Sequence, residues 1–149
     1  MKFLVAVDGS DISHRALDHA IRLATAAGAD VTVAHVVDPQ VYAETTPEPV
    51  TDLSEADRLF VFQRIEEAEE RGQQIIDGAV ARASDRGFDV SSALLYGDPV
   101  VAISDYAEED DFDSIVVGHH GVSERSETAF GSVAKGLVTR ARVPVTVVR

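Results

Sequence analysis

The stretches Asp113-Ser-Ile-Val-Val-Gly-His-His-Gly121 and Gly131-Ser-Val-Ala-Lys-Gly-Leu-Val-Thr139 decide how this chain is interpreted. In the first, a short apolar run ends at Gly118, and in the second a helix-like run begins at Ser132. Glycine has no Cβ, so the backbone N–H groups around it can approach a ligand closely. The start of a helix adds unpaired N–H groups and the positive end of the helix dipole, an arrangement that favours a phosphate. The spacing Gly118-x2-Gly121-x9-Gly131-Ser132 therefore predicts a nucleotide-binding site.

Length and composition predict a single domain, residues 1–149, large enough to bury a hydrophobic core. The chain is 45% hydrophobic and 26% charged, which is ordinary for a globular protein. No run approaches the ~20 apolar residues of a membrane span, and the apolar run after Lys2 is too short for a signal peptide. We therefore expect a cytoplasmic location and no membrane partner. The absence of cysteine excludes disulfides, thiolate catalysis and cysteine-based zinc sites.

The charge of the chain is strongly negative. A net charge of −13 argues against nucleic acid as a partner, because affinity for nucleic acid comes mainly from Lys and Arg that neutralise phosphates. The cations are also unevenly distributed, since Lys2 and Lys135 are the only lysines. An acidic, lysine-poor surface is favoured where salt screens its self-repulsion, so we expect a salt-rich cytosol, as in a halophile. An acidic protein of an ordinary cytosol is the alternative.

Five apolar runs alternate with segments of helical periodicity. Most of these runs are continuous, as in strands that are buried on both faces of a parallel sheet. They cover residues 3–7, 31–37, 90–95, 115–117 and 143–148. Regular alternation of strand and helix predicts a doubly wound α/β sheet with helices on both faces. The segment 38–52 contains three prolines and is predicted to be a long surface loop.

The helical segments have clear start and stop signals. The first follows Asp8-Gly-Ser10 and ends at Gly28, and another begins at Asp98-Pro99, with proline at the first helical position. On the first of these, His14 and Asp18 are one turn apart and are expected to pair on the surface. A longer helix is predicted to begin near Ser54 and to end at Gly87. Its expected buried stripe is Leu59, Phe62, Ile65, Ala68, Ile75, Ile76, Ala79 and Val80.

Asp8 and Gly118 are expected to lie on the same edge of the sheet. In open α/β sheets, ligands bind beyond the carboxyl ends of the strands, where the strand order reverses. Asp8 can place a carboxylate near ribose hydroxyls or a phosphate-bound Mg²⁺; alternatively, Asp8 or Ser10 merely caps the first helix, and the glycine motif favours the ligand role. Ser132 can donate its hydroxyl to a phosphate, cap its own helix, or do both.

Short motifs along the whole chain match one family. They are Val5-Ala-Val-Asp-Gly-Ser10, His35-Val-Val37, Gly97-Asp-Pro99, Val116-Val-Gly118, the Gly118/Gly121/Gly131-Ser132 pattern, and Val143-Pro-Val-Thr-Val-Val148. In these motifs the chain resembles the universal stress protein family, in its small, single-domain, ATP-binding form. The resemblance implies an open five-stranded parallel sheet with strand order 3-2-1-4-5, of the type shared with adenine nucleotide alpha hydrolases. It also implies ATP at the strand ends and a homodimer formed through the apolar run that starts at Val143 and ends at Val148.

The resemblance assigns roles to ten residues of this chain. It places Ala6, Val7 and Asp8 beside the adenosine, and the backbone around Val36 against the adenine. It places Val117 and Gly118 on the ribose side, and it has Gly121, Gly131, Ser132 and Val133 cradle the phosphates.

The chain also departs from the family between the second and third glycines. Val122 stands where many members have arginine, and Glu124 and Glu127 are offset only by Arg125. Carboxylates near a triphosphate repel it, so we expect ATP affinity to be weak or to require Mg²⁺. In molar salt the Debye length falls to about 3 Å, so we also expect ATP binding to survive, or to improve, as salt rises.

His119 and His120 raise the question of a metal site. The side chains of adjacent residues on a strand or loop diverge, and the sequence offers no obvious third ligand. We therefore expect no metal site here and interpret both histidines as loop residues near the ribose and phosphates.

Three functions remain open at this point. The leading one is a nucleotide-binding stress-response protein that acts as a sensor or regulator, with slow or no ATP hydrolysis, because no catalytic residue is evident. An ATP pyrophosphatase or adenylyl transferase is less favoured, since the chain has neither a Ser-Gly-Gly-x-Asp nor a His-x-Gly-His signature, and it also lacks a Walker-type phosphate loop. The third is a dimeric interaction module of the same family that does not bind ATP.

Overall fold

The structure, a computed structural model, describes residues 1–39, 55–121 and 130–149, with backbone only at residues 56 and 57. Strands and helices alternate along the chain, as the apolar runs predict. The strands are β1 (Lys2–Ala6), β2 (Asp30–Val37), β3 (Ser91–Tyr96), β4 (Ser114–Gly118) and β5 (Val145–Val148). The helices are α1 (Asp11–Ala27), α2 (Glu55–Ser84), α3 (Pro99–Glu109) and α4 (Ser132–Arg140). Ser54 and residues 40–52 of the predicted loop lie outside the described residues.

The five strands form one parallel sheet in the order β3-β2-β1-β4-β5, which confirms the expected topology. β1 is the central strand: Ala6 pairs with Ala34 of β2 on one side, and Val5 pairs with Val116 of β4 on the other. From β1 the chain winds outward to β2 and β3, and then returns to add β4 and β5 on the opposite side. The strand order therefore reverses between β1 and β4, and a crevice is expected at their carboxyl ends.

Helices cover both faces of the sheet, and each face has its own core. Under α1 and α2, fully buried side chains such as Val5, Leu17 and Ile76 pack together. Under α3 and α4 the corresponding cluster contains Leu4, Ile103, Ile115 and Leu137. Successive residues of β1, Leu4 and Val5, thus point into opposite cores, which explains why the strand has no polar face.

The predicted start and stop signals operate in the folded chain. The hydroxyl of Ser10 accepts a hydrogen bond from the Ser13 N–H at the start of α1, and Gly28 ends that helix in the left-handed conformation (φ 66°). Asp98 caps α3 by accepting from the Val101 N–H at 3.0 Å, and Pro99 is its first residue. These helix ends are thus determined by local sequence.

The predicted buried stripe of α2 is only partly correct. Ala68, Ile76 and Ala79 are buried, but Leu59 and Phe62 are 64% and 67% exposed. The reason is length: 30 helical residues extend about 45 Å, whereas the eight residues of β2 extend about 26 Å. Gly72 of α2 already lies against Val37, the last residue of β2, so the earlier turns of the helix extend beyond the sheet.

An ion pair joins α1 to α2 across the surface of the first core. Asp18 accepts from Arg82 Nε at 2.9 Å and from Arg82 Nη2 at 2.7 Å, and from Arg86 Nη2 at 3.1 Å. The predicted pairing of Asp18 with His14 is therefore wrong, because Arg82 of α2 supplies a bidentate partner that an imidazole does not offer. Hydrogen bonding to Arg82 lowers the pKa of Asp18 below its ordinary value, although desolvation of the carboxyl acts in the opposite direction.

In the part of the chain that the structure describes, no helix has both the length and the apolar character needed to span a membrane.

Replacing Asp18, the less exposed partner of the α1–α2 ion pair, should destabilise the fold. We expect Asp18→Asn to lower the free energy of unfolding by about 1 kcal/mol at pH 7, because Asp18 is only 20% exposed and bidentately bound. The folded-state pKa is lowered, so this contribution is present above the ordinary carboxyl pKa of 3.8 and is lost as pH falls through the folded-state value. Urea unfolding of wild type and variant over that pH range measures it.

Asp105→Asn is the matched control, since its pair with Arg140 is about half exposed on both sides (51% and 48%). We expect it to change stability by less than about 0.5 kcal/mol. Equal effects of the two substitutions would contradict the importance of the α1–α2 pair.

Candidate functional site

A pocket opens at the carboxyl edge of the sheet, where the ends of β1 and β4 diverge. All ten residues proposed from the sequence line it: Ala6, Val7, Asp8, Val36, Val117, Gly118, Gly121, Gly131, Ser132 and Val133. The pocket has a volume of about 150 Å³. The structure thus brings the proposed residues together, and their contacts with a ligand stay a prediction.

His120, expected from the sequence only as a loop residue near the ribose and phosphates, also lines the pocket. Five further lining residues were not predicted: Ser13, Ala34, Pro99, Ile103 and Ala134. Two periodicities would have found some of them. Ala34 lies two residues before Val36 on β2, and alternate residues of a strand share a face. Pro99 and Ile103 are four residues apart on α3 and therefore face the same way.

One wall of the pocket is apolar and continuous with the second core. Ala34, Ile103 and Val117 are buried members of that core, and Ala6 and Val36 pack against it. The wall is therefore preformed by packing that the fold requires in any case. Such a surface suits a flat apolar group.

Asp8 lies where the polar part of the pocket begins. Its Oδ1 accepts hydrogen bonds from the N–H of Ser10 at 3.0 Å and from the Ser10 hydroxyl at 2.5 Å. Ser10, not Asp8, is the cap of α1, because the Ser10 hydroxyl accepts from Ser13 N–H. The carboxylate of Asp8 is thus oriented by the capping residue, at the wall of the pocket.

Gly118 and Gly121 are positions of close approach. A Cβ built on Gly118 would lie 2.5 Å from Ile12 Cγ2, and one on Gly121 would lie 2.7 Å from Asp8 Oδ2. The loop after β4 is therefore packed directly on the start of α1 and on the Asp8 carboxylate. A side chain at Gly118 would overlap Ile12, and one at Gly121 would require the Asp8 carboxylate to move.

Gly131 and Ser132 form the start of α4. Gly131 is the N-cap and no side chain caps the helix, so Ser132 is its first residue and not its cap. The N–H of Gly131 donates to the His119 carbonyl at 2.6 Å, so that N–H is already used within the protein. Val133 and Ala134, the next residues of the first turn, also line the pocket, and the positive end of the α4 dipole lies at this end of it.

The two histidines have different environments. His119 is 6% exposed, and its backbone N–H donates to the carbonyl oxygen of Val148 at 2.8 Å. Its ring Nδ1 lies 3.3 Å from the same oxygen. His120 is partly buried and lines the pocket. Within the described ranges, no group of three or more His, Cys, Asp or Glu side chains is placed to hold a metal ion. Val122, Glu124 and Glu127 lie outside those ranges.

Comparison with known proteins identifies the family. The model of the universal stress protein family matches residues 1–149, so the chain belongs to that family. The chain is 32% identical over 148 residues to the universal stress protein YxiE of Bacillus subtilis, covering 99% of this chain and 98% of that protein.

Two solved structures share the architecture. Universal stress protein UspA from Lactobacillus plantarum superposes with a TM-score of 0.81 at 24% identity, covering 100% of this chain and 97% of the other. The universal stress protein of Archaeoglobus fulgidus in complex with dAMP has a TM-score of 0.68 at 26% identity, covering 100% and 98%. The fold expected from the sequence is therefore shared with proteins of this family.

The close approach at Gly118 predicts that alanine substitution has opposite effects on stability at Gly118 and at Gly78. We expect Gly118→Ala to lower the free energy of unfolding by about 1–3 kcal/mol, because the new Cβ overlaps the buried, stiff side chain of Ile12. The control is Gly78→Ala in α2, where nothing lies within 4 Å of a built Cβ. That substitution should stabilise the helix by about 0.5–1 kcal/mol. Denaturant unfolding of both variants measures these changes. An unchanged free energy of unfolding for Gly118→Ala would show that Ile12 can move aside without loss of stability.

Proposed function

We propose that this universal stress protein binds an adenine nucleotide in the β1–β4 pocket, with Mg²⁺–ATP as the leading ligand. In this proposal it acts as a stress-response sensor or regulator in the cytoplasm. The observation that carries the proposal is the convergence of all ten proposed residues on one pocket at the reversal of strand order. The A. fulgidus relative in complex with dAMP supports the class of ligand.

The two halves of the pocket suit the two halves of a nucleotide. The apolar wall of Ala34, Val36 and Ile103 fits a purine ring, which gains from leaving water. The uncapped start of α4 offers N–H donors and a positive dipole end, which fit phosphate oxygens. Asp8, an acceptor between the two, suits the hydroxyls of a ribose.

Binding with slow or no hydrolysis is part of the proposal. The lining among the described residues includes no arginine or lysine, and an arginine is a common source of charge stabilisation in phosphoryl transfer. Asp8 is also hydrogen-bonded by Ser10, which engages the carboxylate nearest the proposed ribose and phosphate region. Mg²⁺ would supply the charge neutralisation that a triphosphate requires in a chain with a net charge of −13.

We also propose that two copies pair through β5. This strand is at the edge of the sheet. The carbonyls of Pro144, just before it, and of Val148 accept from the N–H groups of Ile115 in β4 and of His119, just after β4. Because the N–H of each peptide points opposite to its C=O, the N–H of Val145 points away from the sheet. Directions alternate from residue to residue along a strand, so the N–H of Val147 points away as well. An edge of this kind is suited to pairing with a second copy. The same observation favours the second candidate function, a dimeric interaction module that does not bind ATP.

Nucleotide binding can be tested directly on the purified protein. We expect protein prepared in molar KCl and then denatured to release an adenine nucleotide, identified by anion-exchange chromatography beside an ATP standard. We also expect affinity for added Mg²⁺–ATP to be unchanged or improved from roughly 0.1 to 2 M KCl, because the Debye length shrinks to about 3 Å near 1 M salt. Such salt tolerance would agree with the salt-rich cytosol proposed from the acidic composition. Isothermal titration calorimetry measures it.

A site variant and a control sharpen this experiment. Gly121→Val should weaken Mg²⁺–ATP binding at least about tenfold, ~1.4 kcal/mol, because its side chain overlaps the Asp8 carboxylate, whereas Gly78→Ala should bind as wild type. Wild-type protein that carries no nucleotide and binds neither ATP nor AMP would contradict the proposal and favour the interaction module.

Pairing through β5 predicts a specific loss of the dimer. We expect the wild type to sediment as a dimer and Val147→Pro as a monomer, because proline removes one outward N–H at an edge position that tolerates it. Val147→Thr retains the N–H and a β-branched shape, so it should remain a dimer. Sedimentation equilibrium gives the masses, and circular dichroism checks the fold. A wild-type monomer, or a dimeric Val147→Pro, would place the contact elsewhere or exclude it.

A further inference from the structure

His35 lies in β2 between two residues of the pocket lining, but its side chain faces away from the pocket. Ala34 and Val36 line the pocket, and successive residues of a strand point to opposite faces of the sheet. The half-buried ring of His35 instead lies under α2, where a Cβ built on Gly72 would be 2.8 Å from its Cδ2. Any effect of His35 on a bound ligand must therefore act through a residue that does line the pocket.

The ring of His35 reaches the backbone just beyond the end of β1. Its Nδ1 lies 2.8 Å from the carbonyl oxygen of Val7, and because a carbonyl oxygen only accepts, this nitrogen carries the hydrogen. The Val7 N–H donates to the Ala34 carbonyl at 2.9 Å, so β2 holds Val7 by both of its backbone groups. The bonded carbonyl belongs to the same peptide as the N–H of Asp8, which lies 3.4 Å from Ser13 Oγ. His35 thus makes the shorter of these two hydrogen bonds to the peptide that leads into Asp8.

A glycine of α2 makes room for the ring. Glycine destabilises a helix interior relative to alanine, so its presence at Gly72 indicates a packing requirement. The requirement is the close contact with His35, which a Cβ at this position would overlap. Three residues further along α2, Ile75 Cγ1 lies 3.3 Å from the Cβ position of Gly9, in the turn that follows β1. The same helix therefore covers both the ring and the turn, and the ring has little freedom to leave its bonded position.

We propose that His35 is a positioning residue of the nucleotide pocket. Ser10 orients the side chain of Asp8, whereas His35, through the Val7 carbonyl, fixes the peptide that carries it. The carboxylate is thereby held where it can accept hydrogen bonds from the ribose hydroxyls of a bound nucleotide. The inference rests on the proposed nucleotide binding and extends it to a residue that touches no ligand. Because Nδ1 carries a hydrogen in this neutral tautomer and also in the imidazolium, the contact does not depend on the charge of the ring.

The test compares two ligands that differ only at the ribose. Mg²⁺–ATP and its 2′,3′-dideoxy analogue are titrated calorimetrically into wild type, His35→Leu and His35→Asn. Wild type should prefer ATP by about tenfold or more, because the analogue lacks the hydroxyls that donate to Asp8. His35→Leu removes the ring donor, so this preference should fall to within about twofold. Asparagine carries an amide N–H near the position of Nδ1, so His35→Asn should keep part of the preference.

Asp18→Asn is the matched control, because it is expected to lower stability but lies outside the pocket lining. Its preference for ATP should equal that of wild type. A His35 variant whose only defect was a less stable fold would likewise keep the preference, so the comparison separates positioning from a general loss of stability.

Each other outcome has a distinct meaning. A wild-type preference in His35→Leu, an equal loss of affinity for both ligands, or an asparagine variant no better than the leucine variant would overturn the positioning role. Wild type that binds both ligands equally would exclude the contact of Asp8 with the ribose, and this inference with it, while nucleotide binding itself would stand. Wild type that binds neither ligand would refute the proposed function.

A second measurement needs no variant. Long-range ¹H–¹⁵N spectra of ¹⁵N-labelled wild type should show the hydrogen of the neutral His35 ring on Nδ1, both with and without ATP. A neutral ring that carries its hydrogen on Nε2 would overturn the hydrogen bond to Val7 and the proposal built on it.

Discussion

Strand β1 pairs along both of its sides, with β2 through Ala6 and Ala34 and with β4 through Val5 and Val116. The two sets of strand pairs end near the carboxyl end of β1. After β1 the chain turns through Asp8 toward α1, and after β4 it continues from Gly118 into a loop. The crevice between these two segments is the pocket. Its position is therefore a consequence of strand order, and it exists only because β1 is held from both sides.

Local contacts convert this crevice into a site with an apolar and a polar part. The apolar wall is shared with the core beneath α3 and α4, so the packing that stabilises the fold also shapes the pocket. The polar part depends on loops that touch: Gly121 lies against Asp8, Ser10 holds the Asp8 carboxylate, and the N–H of Gly131 binds the His119 carbonyl. These bonds fix the two sides of the pocket relative to each other, as a preorganised binding site requires.

The sequence predicts the fold and the residues around the pocket well, because strands, glycines and helix caps act locally. The strand order followed from the family resemblance, and the structure has that order. The errors arise where distant segments meet. Periodicity places Leu59 on the buried face of α2, but it does not reveal that the first turns of this helix extend beyond the sheet. Nor does spacing within α1 reveal that Asp18 binds an arginine 64 residues away. The unlike environments of His119 and His120 likewise depend on Val148, which the sequence alone does not bring near.

The lining of the pocket comes from β1, β2, β4, α1, α3 and α4, and it spans the chain from Ala6 to Ala134. Opening any one of these segments removes part of the wall, so partly unfolded forms retain only fragments of it. A ligand bound there would therefore suppress local openings together, and backbone hydrogen exchange across both cores would slow in concert. Occupancy of the pocket would then act as a measure of the integrity of the whole fold.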